Sequence, residues 1–339
     1  MTLYRKEPDV ALQVGVSTPA RLHLGFLDLG GSLGRRFGSL GVAIDGMRTG
    51  LRARLSQRHA ASGPGSERAL VCLQELGERL GLQGGVTLEL NEAIPDHAGL
   101  GSGTQLYLAI GAALDQLYGL GLTTAQLALA AGRGRRSGIG IGAFDHGGFL
   151  MDAGTDSGAG GSAVPPLTAR LDFPEHWRIL LLMDGRGQGL HGGREKQAFR
   201  ELPPFPEATA AHLCHLALMK ILPGVAEARL APVAEGIAEL QRVVGDHFAP
   251  AQGGRFASPA VSDALAWAEA QGHVGIGQSS WGPTGFVLLD SEAVAQELAA
   301  GLRRRFGELS PLRVRVVAAC NRGRRLHAVR ADERLQQIL

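Results

Sequence analysis

A two-domain α+β fold is what this sequence predicts, and three observations lead to it. The chain has 339 residues, more than one small compact core takes up. Its strand and helix patterns follow one another without the strict alternation of a doubly wound sheet. A stretch of small residues and proline, Gly154–Pro166, falls near mid-chain and divides it into 1–165 and 166–339.

The elements read in order as follows. Val10–Leu24 and Gly41–Leu55 have the composition of strands, separated by the glycine-rich stretch Gly30–Gly41. Val86–Leu90 alternates apolar and polar residues, as a strand with one solvated face does. Leu106, Ile110, Ala113, Leu114 and Leu117 recur at helical spacing and predict a helix beginning near Thr104. A helix at Thr123–Gly132, a glycine-rich loop at Ser137–Gly148 and a strand at Phe149–Asp152 complete the first half. The second half opens on a buried strand, Arg178–Asp184, followed by helices at Glu207–Leu222, Val225–Val244 and Pro259–Gln271. Strands at Phe286–Leu289 and Arg313–Ala318 flank a helix at Ser291–Phe306. No repeat at solenoid spacing is present.

Composition narrows the function classes. The formal net charge is +2 with both signs spread along the chain, unlike the concentrated basic surface of a nucleic-acid binder. Cys72, Cys214 and Cys320 stand far apart without a C-x-x-C pair, so a reducing compartment is expected. The N-terminus has no apolar core behind its charges, and no apolar run spans a bilayer. The expectation is a cytoplasmic enzyme without a membrane partner. Only Lys6, Lys196 and Lys220 are lysine; the other basic residues are arginine, which suits phosphate and carboxylate recognition. A GC-rich genome gives the same bias without any function.

The strongest local signal is Pro95-Asp-His-Ala-Gly-Leu-Gly-Ser-Gly-Thr-Gln105. Gly99, Gly101 and Gly103 let the backbone turn its N–H groups toward one point. The helix that follows adds unpaired N–H groups and the positive end of its dipole. With the Ser102 and Thr104 hydroxyls, this makes an anion cradle. No Gly-Lys-Ser/Thr follows, so it is not a Walker loop. The plainer alternative is a flexible glycine turn.

These residues resemble the phosphate-binding motif of the GHMP kinase superfamily. Thr18-Pro-Ala-Arg-Leu-His-Leu-Gly-Phe26 resembles its N-terminal motif, and Gly275-Ile-Gly-Gln-Ser-Ser-Trp-Gly-Pro283 its C-terminal glycine motif. A narrower likeness adds Ser137-Gly-Ile-Gly-Ile-Gly-Ala-Phe-Asp-His-Gly-Gly148 and Gly245-Asp-His-Phe-Ala-Pro-Ala-Gln-Gly-Gly254. Together these segments resemble the β-ribofuranosylaminobenzene 5′-phosphate synthase family. The resemblance implies an N-terminal ribosomal-protein-S5-like domain and a C-terminal ferredoxin-like domain. It also implies a decarboxylating transfer from phosphoribosyl pyrophosphate to 4-aminobenzoate or 4-hydroxybenzoate on the route to tetrahydromethanopterin. Magnesium and a homodimer are implied as well. A GHMP-type ATP-dependent kinase is the alternative.

Roles follow from that resemblance. Gly99, Leu100, Gly101, Ser102, Gly103, Thr104 and Gln105 would hold the pyrophosphate. Arg21 would hold a phosphate or the aromatic carboxylate, with His23 on the same strand face. Asp145 would bind magnesium or steer the developing cation; an Asx turn is the alternative. Ser137, Gly140 and Gly142 would extend the anion site, with a packing turn as the alternative, and Arg186, His191 and Arg194 would clamp ribose phosphate or benzoate, with a solvated loop as the alternative. Ser279, Ser280 and Trp281 would line the aromatic site, with Trp281 stacking on the ring, or Trp281 is a core residue. His212-x-Cys214-His215 reads as a packed helix face instead of a metal site, and Arg133-Gly-Arg-Arg136 and Arg303-Arg-Arg305 as solvated faces or helix ends.

Overall fold

The computed structural model describes residues 11–158, 163–186, 201–307 and 311–329. Two long antiparallel strands, β1 (Gln13–Asp28) and β2 (Arg35–Ser56), form the spine of the first sheet. β4 (Gly85–Glu92) pairs with the end of β2, and β3 (Ala60–Ser62) runs parallel beyond it. β5 (Phe149–Asp152) pairs with the beginning of β2, with β7 (Leu167–Leu171) outside it; the two-residue β6 (Thr155–Asp156) also meets β2. The outer edge of β1 is covered by β12 (Arg325–Val329), the last described strand. The second sheet has the order β11 (Leu312–Val317), β8 (Arg178–Asp184), β10 (Thr284–Leu289), β9 (Ile276–Gln278), antiparallel throughout.

Alternation along these strands assembles the cores. Helices α1 (Ser66–Arg79) and α2 (Ser102–Tyr118) lie on the first sheet, where Leu73, Leu76, Ile110 and Leu114 meet Val14, Val16, Leu51 and Leu88. In β8, Ile179 and Leu181 face a core shared with Leu22, Leu24 and Leu40 of the first sheet. Leu180 and Leu182 face α7 (Pro259–Ala270) and α8 (Glu292–Phe306). Both faces are covered, which is why Arg178–Asp184 is an almost continuous apolar run. The shared core also takes helices α5 (Glu207–Ala226) and α6 (Leu230–Gln252), through Leu213, Ile221, Ile237 and Leu240. α5 has the length and hydropathy of a membrane span, but one face is packed into this core.

The structure moves several boundaries. β7 belongs to the first sheet and β12 returns to it, so the first unit runs to Leu171 and recovers a strand from the end of the chain instead of closing at 165. Gly30–Gly41 is a separator only in its first part, because β2 already begins at Arg35. Ser137–Gly148 contains a short helix, α4 (Ile139–Asp145), because Ile139, Ile141 and Phe144 all bury their side chains. α3 (Thr124–Ala130) starts where expected, on a Thr123–Gln126 capping box.

Candidate active site

β1 is irregular where it matters. Its register against β2 shifts between Pro19 and Ala20 and again between His23 and Gly25. Such bulges re-aim side chains. Arg21 and His23 both reach the wall of one large cavity of about 970 Å³, shared with Thr104 and Tyr107 of α2, Ser137, Gly140, Ser280 and Trp281.

The helix predicted near Thr104 begins at Ser102, after Gly101, and no side chain caps its N-terminus. Gly99 and Gly101 have φ of +80° and +85°, the left-handed region that glycine enters without strain. Three guanidinium groups converge on this turn. A Cβ on Gly101 would meet the Arg21 side chain at 3.2 Å, and one on Gly103 would meet Arg68 Nη2 at 2.6 Å and Arg133 Nη2 at 3.4 Å. Arg21 Nη1 donates to the Gly99 carbonyl oxygen at 2.5 Å, and Arg68 donates to Ser102 Oγ at 3.3 Å while ion-pairing with Asp96. Thr104 lines the cavity directly, whereas residues 99–103 are not in its lining, with the Arg21 and Arg133 side chains between Gly101, Gly103 and the cavity.

Two loop residues serve the scaffold. Leu100 is buried in the shared core, and Gln105 is fully buried, hydrogen-bonded to Thr18 and donating to the Gly140 carbonyl at 2.7 Å. Their expected contact with substrate gives way to packing and to a tie between α2 and α4.

The second domain presses on the loop through its own glycine motif. A Cβ on Gly282 would lie 2.4 Å from the Ala98 backbone, so only glycine permits this approach. Ser279 is buried away from the cavity; its hydroxyl donates to the Gly99 carbonyl at 2.8 Å and accepts from the His23 N–H at 3.0 Å. Away from the cavity lining, it clamps β1 against the glycine turn. Ser280 and Trp281 do line the cavity.

The missed residues are Arg133, Arg135 and Arg136. Read from sequence as a solvated run, they stand in the cavity wall with Arg21 and Arg79. The Arg133 guanidinium lies over the Tyr107 ring, 4.6 Å from its centroid. Glu75, the carboxylate in that wall, is already engaged: it accepts from Tyr107 Oη at 2.5 Å and ion-pairs with Arg79. Burial, then this acceptor, pushes the Tyr107 hydroxyl well up, so it stays protonated and donating. His23 moves the opposite way, to about 3, chiefly through burial and then through the charges of Arg21 and Arg136. Its ring is neutral near pH 7.

Other expected residues are elsewhere. Asp145 ends α4, where its carboxylate accepts from Thr124 Oγ1 at 2.7 Å and pairs with Arg324, outside the cavity lining. Its carboxylate is engaged with Arg324 and Thr124 and stands apart from the cavity wall. Asp145→Asn is expected to cost about 1 kcal/mol of stability and to leave kcat/KM within about twofold, measured by thermal denaturation beside steady-state kinetics. Gly142 faces Leu167 and Leu150, so it is a packing position and not part of an anion site. Arg186 is exposed and paired with Asp184. His191 and Arg194 lie outside the described residues. His212 meets Glu239 at 2.6 Å on the α5–α6 surface, and Arg303–Arg305 close the last turn of α8.

Among the described residues no cluster of three His, Cys, Asp or Glu side chains exists, and Glu75, the carboxylate in the cavity lining, is already paired, so the wall offers magnesium no unpaired carboxylate. Five arginines make the wall strongly basic.

Comparisons with known proteins agree with this architecture. Residues 67–151 match the GHMP kinases N terminal domain and residues 221–308 the GHMP kinases C terminal domain. Homoserine kinase from Cytophaga hutchinsonii superposes with a TM-score of 0.61 at 18% identity, over 96% of this chain and 100% of that one. The beta-ribofuranosylphenol 5'-phosphate synthase of Archaeoglobus fulgidus is 35% identical over 318 residues, 90% of this chain and 97% of the relative. Its counterpart in Methanothermobacter thermautotrophicus is 30% identical over 317 residues, 86% of this chain and 95% of that one. A GHMP fold, an arginine-walled cavity beside its glycine turn, and this near-complete overlap place the chain in the beta-ribofuranosylphenol 5'-phosphate synthase family.

Proposed function

We propose that this enzyme joins phosphoribosyl pyrophosphate to 4-hydroxybenzoate, releasing carbon dioxide and pyrophosphate. The observation that carries the reading is the wall of five arginines around the cavity, whose one carboxylate is already paired. A donor bearing a pyrophosphate and a second phosphate needs that excess of cationic donors. The relatives are named for a phenol product, which favours the hydroxy acid over 4-aminobenzoate as acceptor.

The chemistry suits the groups present. The C1–oxygen bond of the ribose breaks with its electron pair leaving on pyrophosphate. The ring carbon bearing the carboxylate attacks the oxocarbenium carbon. The bond to the carboxylate then breaks, carbon dioxide leaves, and its electron pair restores the aromatic ring. No proton is gained or lost overall, so positioning and charge stabilisation dominate. Arg21, Arg68 and Arg133, beside the open N-terminus of α2, neutralise the leaving pyrophosphate. Magnesium enters this reading only as a counter-ion carried on the donor.

Mass spectrometry of products tests the proposal. Incubation with phosphoribosyl pyrophosphate and 4-hydroxybenzoate is expected to yield a ribosylphenol phosphate, with 4-aminobenzoate slower. A phosphorylated product formed from ATP instead would replace this reading with the kinase alternative.

A further inference from the structure

Four residues of the large cavity, His23, Phe26, Ser280 and Trp281, also line a second recess of about 30 Å³. At that size the recess admits one small substituent and no ring. Its mouth is aromatic. Phe26 lies 4.6 Å from His23 and 6.5 Å from Phe248, centroid to centroid, and Phe248 lies 4.3 Å from Trp281. Phe248 and Trp281 pack into the shared core at 7% and 6% exposure, while half-buried Phe26 stays open to the cavity.

Two further observations point to a ligand there. Ser280, which turns Trp281 into the wall, has φ of +57°, a conformation that non-glycine residues adopt rarely and chiefly at functional sites. His23 is 5% exposed, and its Nε2 is buried without a hydrogen-bond partner. A buried polar atom left this way in a folded protein calls for a partner from outside the chain. Arg136 lines the large cavity alongside His23, and its charge acts on the His23 ring. A flat apolar wall, a neutral polar nitrogen and a cation to one side are the complement of an aromatic carboxylate.

We infer that Phe26, Trp281 and His23 form the acceptor subsite, on which the benzoate ring lies with its carboxylate toward Arg136. The substituent opposite the carboxylate enters the small recess, and His23 Nε2 hydrogen-bonds the bound acceptor. This inference rests on the phosphoribosyl-transfer reading for the identity of the acceptor. It separates the two substrates: the donor belongs to Arg21, Arg68 and Arg133, the acceptor to the aromatic wall.

Phe26 is only half-buried, so Phe26→Leu removes a ring without opening the core. The variant is expected to raise KM for 4-hydroxybenzoate about tenfold while KM for phosphoribosyl pyrophosphate stays within about threefold. Binding is followed separately through tryptophan fluorescence in the absence of donor. 4-Hydroxybenzoate is expected to perturb wild-type emission, and Trp281→Phe to abolish the change while calorimetry still registers donor binding. Unaltered acceptor KM in Phe26→Leu, or a fluorescence response that survives in Trp281→Phe, overturns the subsite. Failure of the reaction itself is recorded by the wild type, which would show no turnover with either benzoate. The fluorescence arm still decides whether an aromatic carboxylate occupies this wall.

Discussion

Arg21→Lys is expected to lower kcat/KM for phosphoribosyl pyrophosphate by about ten- to a hundredfold, the loss of a charge-assisted hydrogen bond of roughly 1.5–3 kcal/mol. Lysine keeps the charge but not the planar fork. The position explains the direction of the effect. Arg21 packs on Gly101, where a Cβ would lie 3.2 Å from its side chain, and it donates to the Gly99 carbonyl. Its guanidinium therefore packs on the glycine turn proposed to hold the donor. The loss is expected on the donor, with KM for the benzoate little changed. Steady-state kinetics with each substrate varied in turn checks this, and a loss confined to the benzoate would make Arg21 a carboxylate anchor instead.

Gly99→Ala is expected to be the most damaging single change at the turn. The new Cβ would stand 2.3 Å from the Ser279 carbonyl oxygen and 2.9 Å from Gly282 Cα, both backbone and unable to step aside. Its φ of +80° adds strain for any residue with a Cβ. Together these amount to roughly 2–5 kcal/mol. Activity should fall further than stability alone explains, because Ser279 ties this turn to His23. Gly81→Ala is the control. Gly81 has φ of +66° with nothing within 4 Å of a Cβ, so it isolates the backbone term of about 1–2 kcal/mol. Equal melting temperatures and activities for the two variants would show that the contact between domains at Gly99 is not close.

Much of the scaffold was legible because it is written in local patterns. The helical stripe Leu106–Leu117 and the capping box at Thr123 need no tertiary information. The glycine turn declared itself because the positive φ of Gly99 and Gly101 favours glycine in sequence as in structure. What distance along the chain separates was harder to read. β12 covers β1 across more than 290 residues, a pairing that no local pattern encodes.

The site divides along the same line. Arg21 and His23 were findable from their alternation on one strand, and Thr104 from the helix start. Arg133, Arg135 and Arg136 read as a solvated run because a charge run in a loop has that composition whether it faces water or a cavity. Only the packing of α3 against α2 brings it over Tyr107. Asp145 misled for the opposite reason. A carboxylate after a glycine-rich loop has the right chemistry, but its partner Arg324 is too remote in sequence to be anticipated.

Transfer of a ribosyl phosphate in this cavity releases both the donor's pyrophosphate and the acceptor's carboxyl group. Incubating the enzyme with carboxyl-labelled 4-hydroxybenzoate and counting both products tests it most directly. Labelled carbon dioxide and pyrophosphate are expected in equal amounts, and only when phosphoribosyl pyrophosphate is present. Pyrophosphate released without carbon dioxide, or labelled carbon dioxide released without the donor, would contradict it.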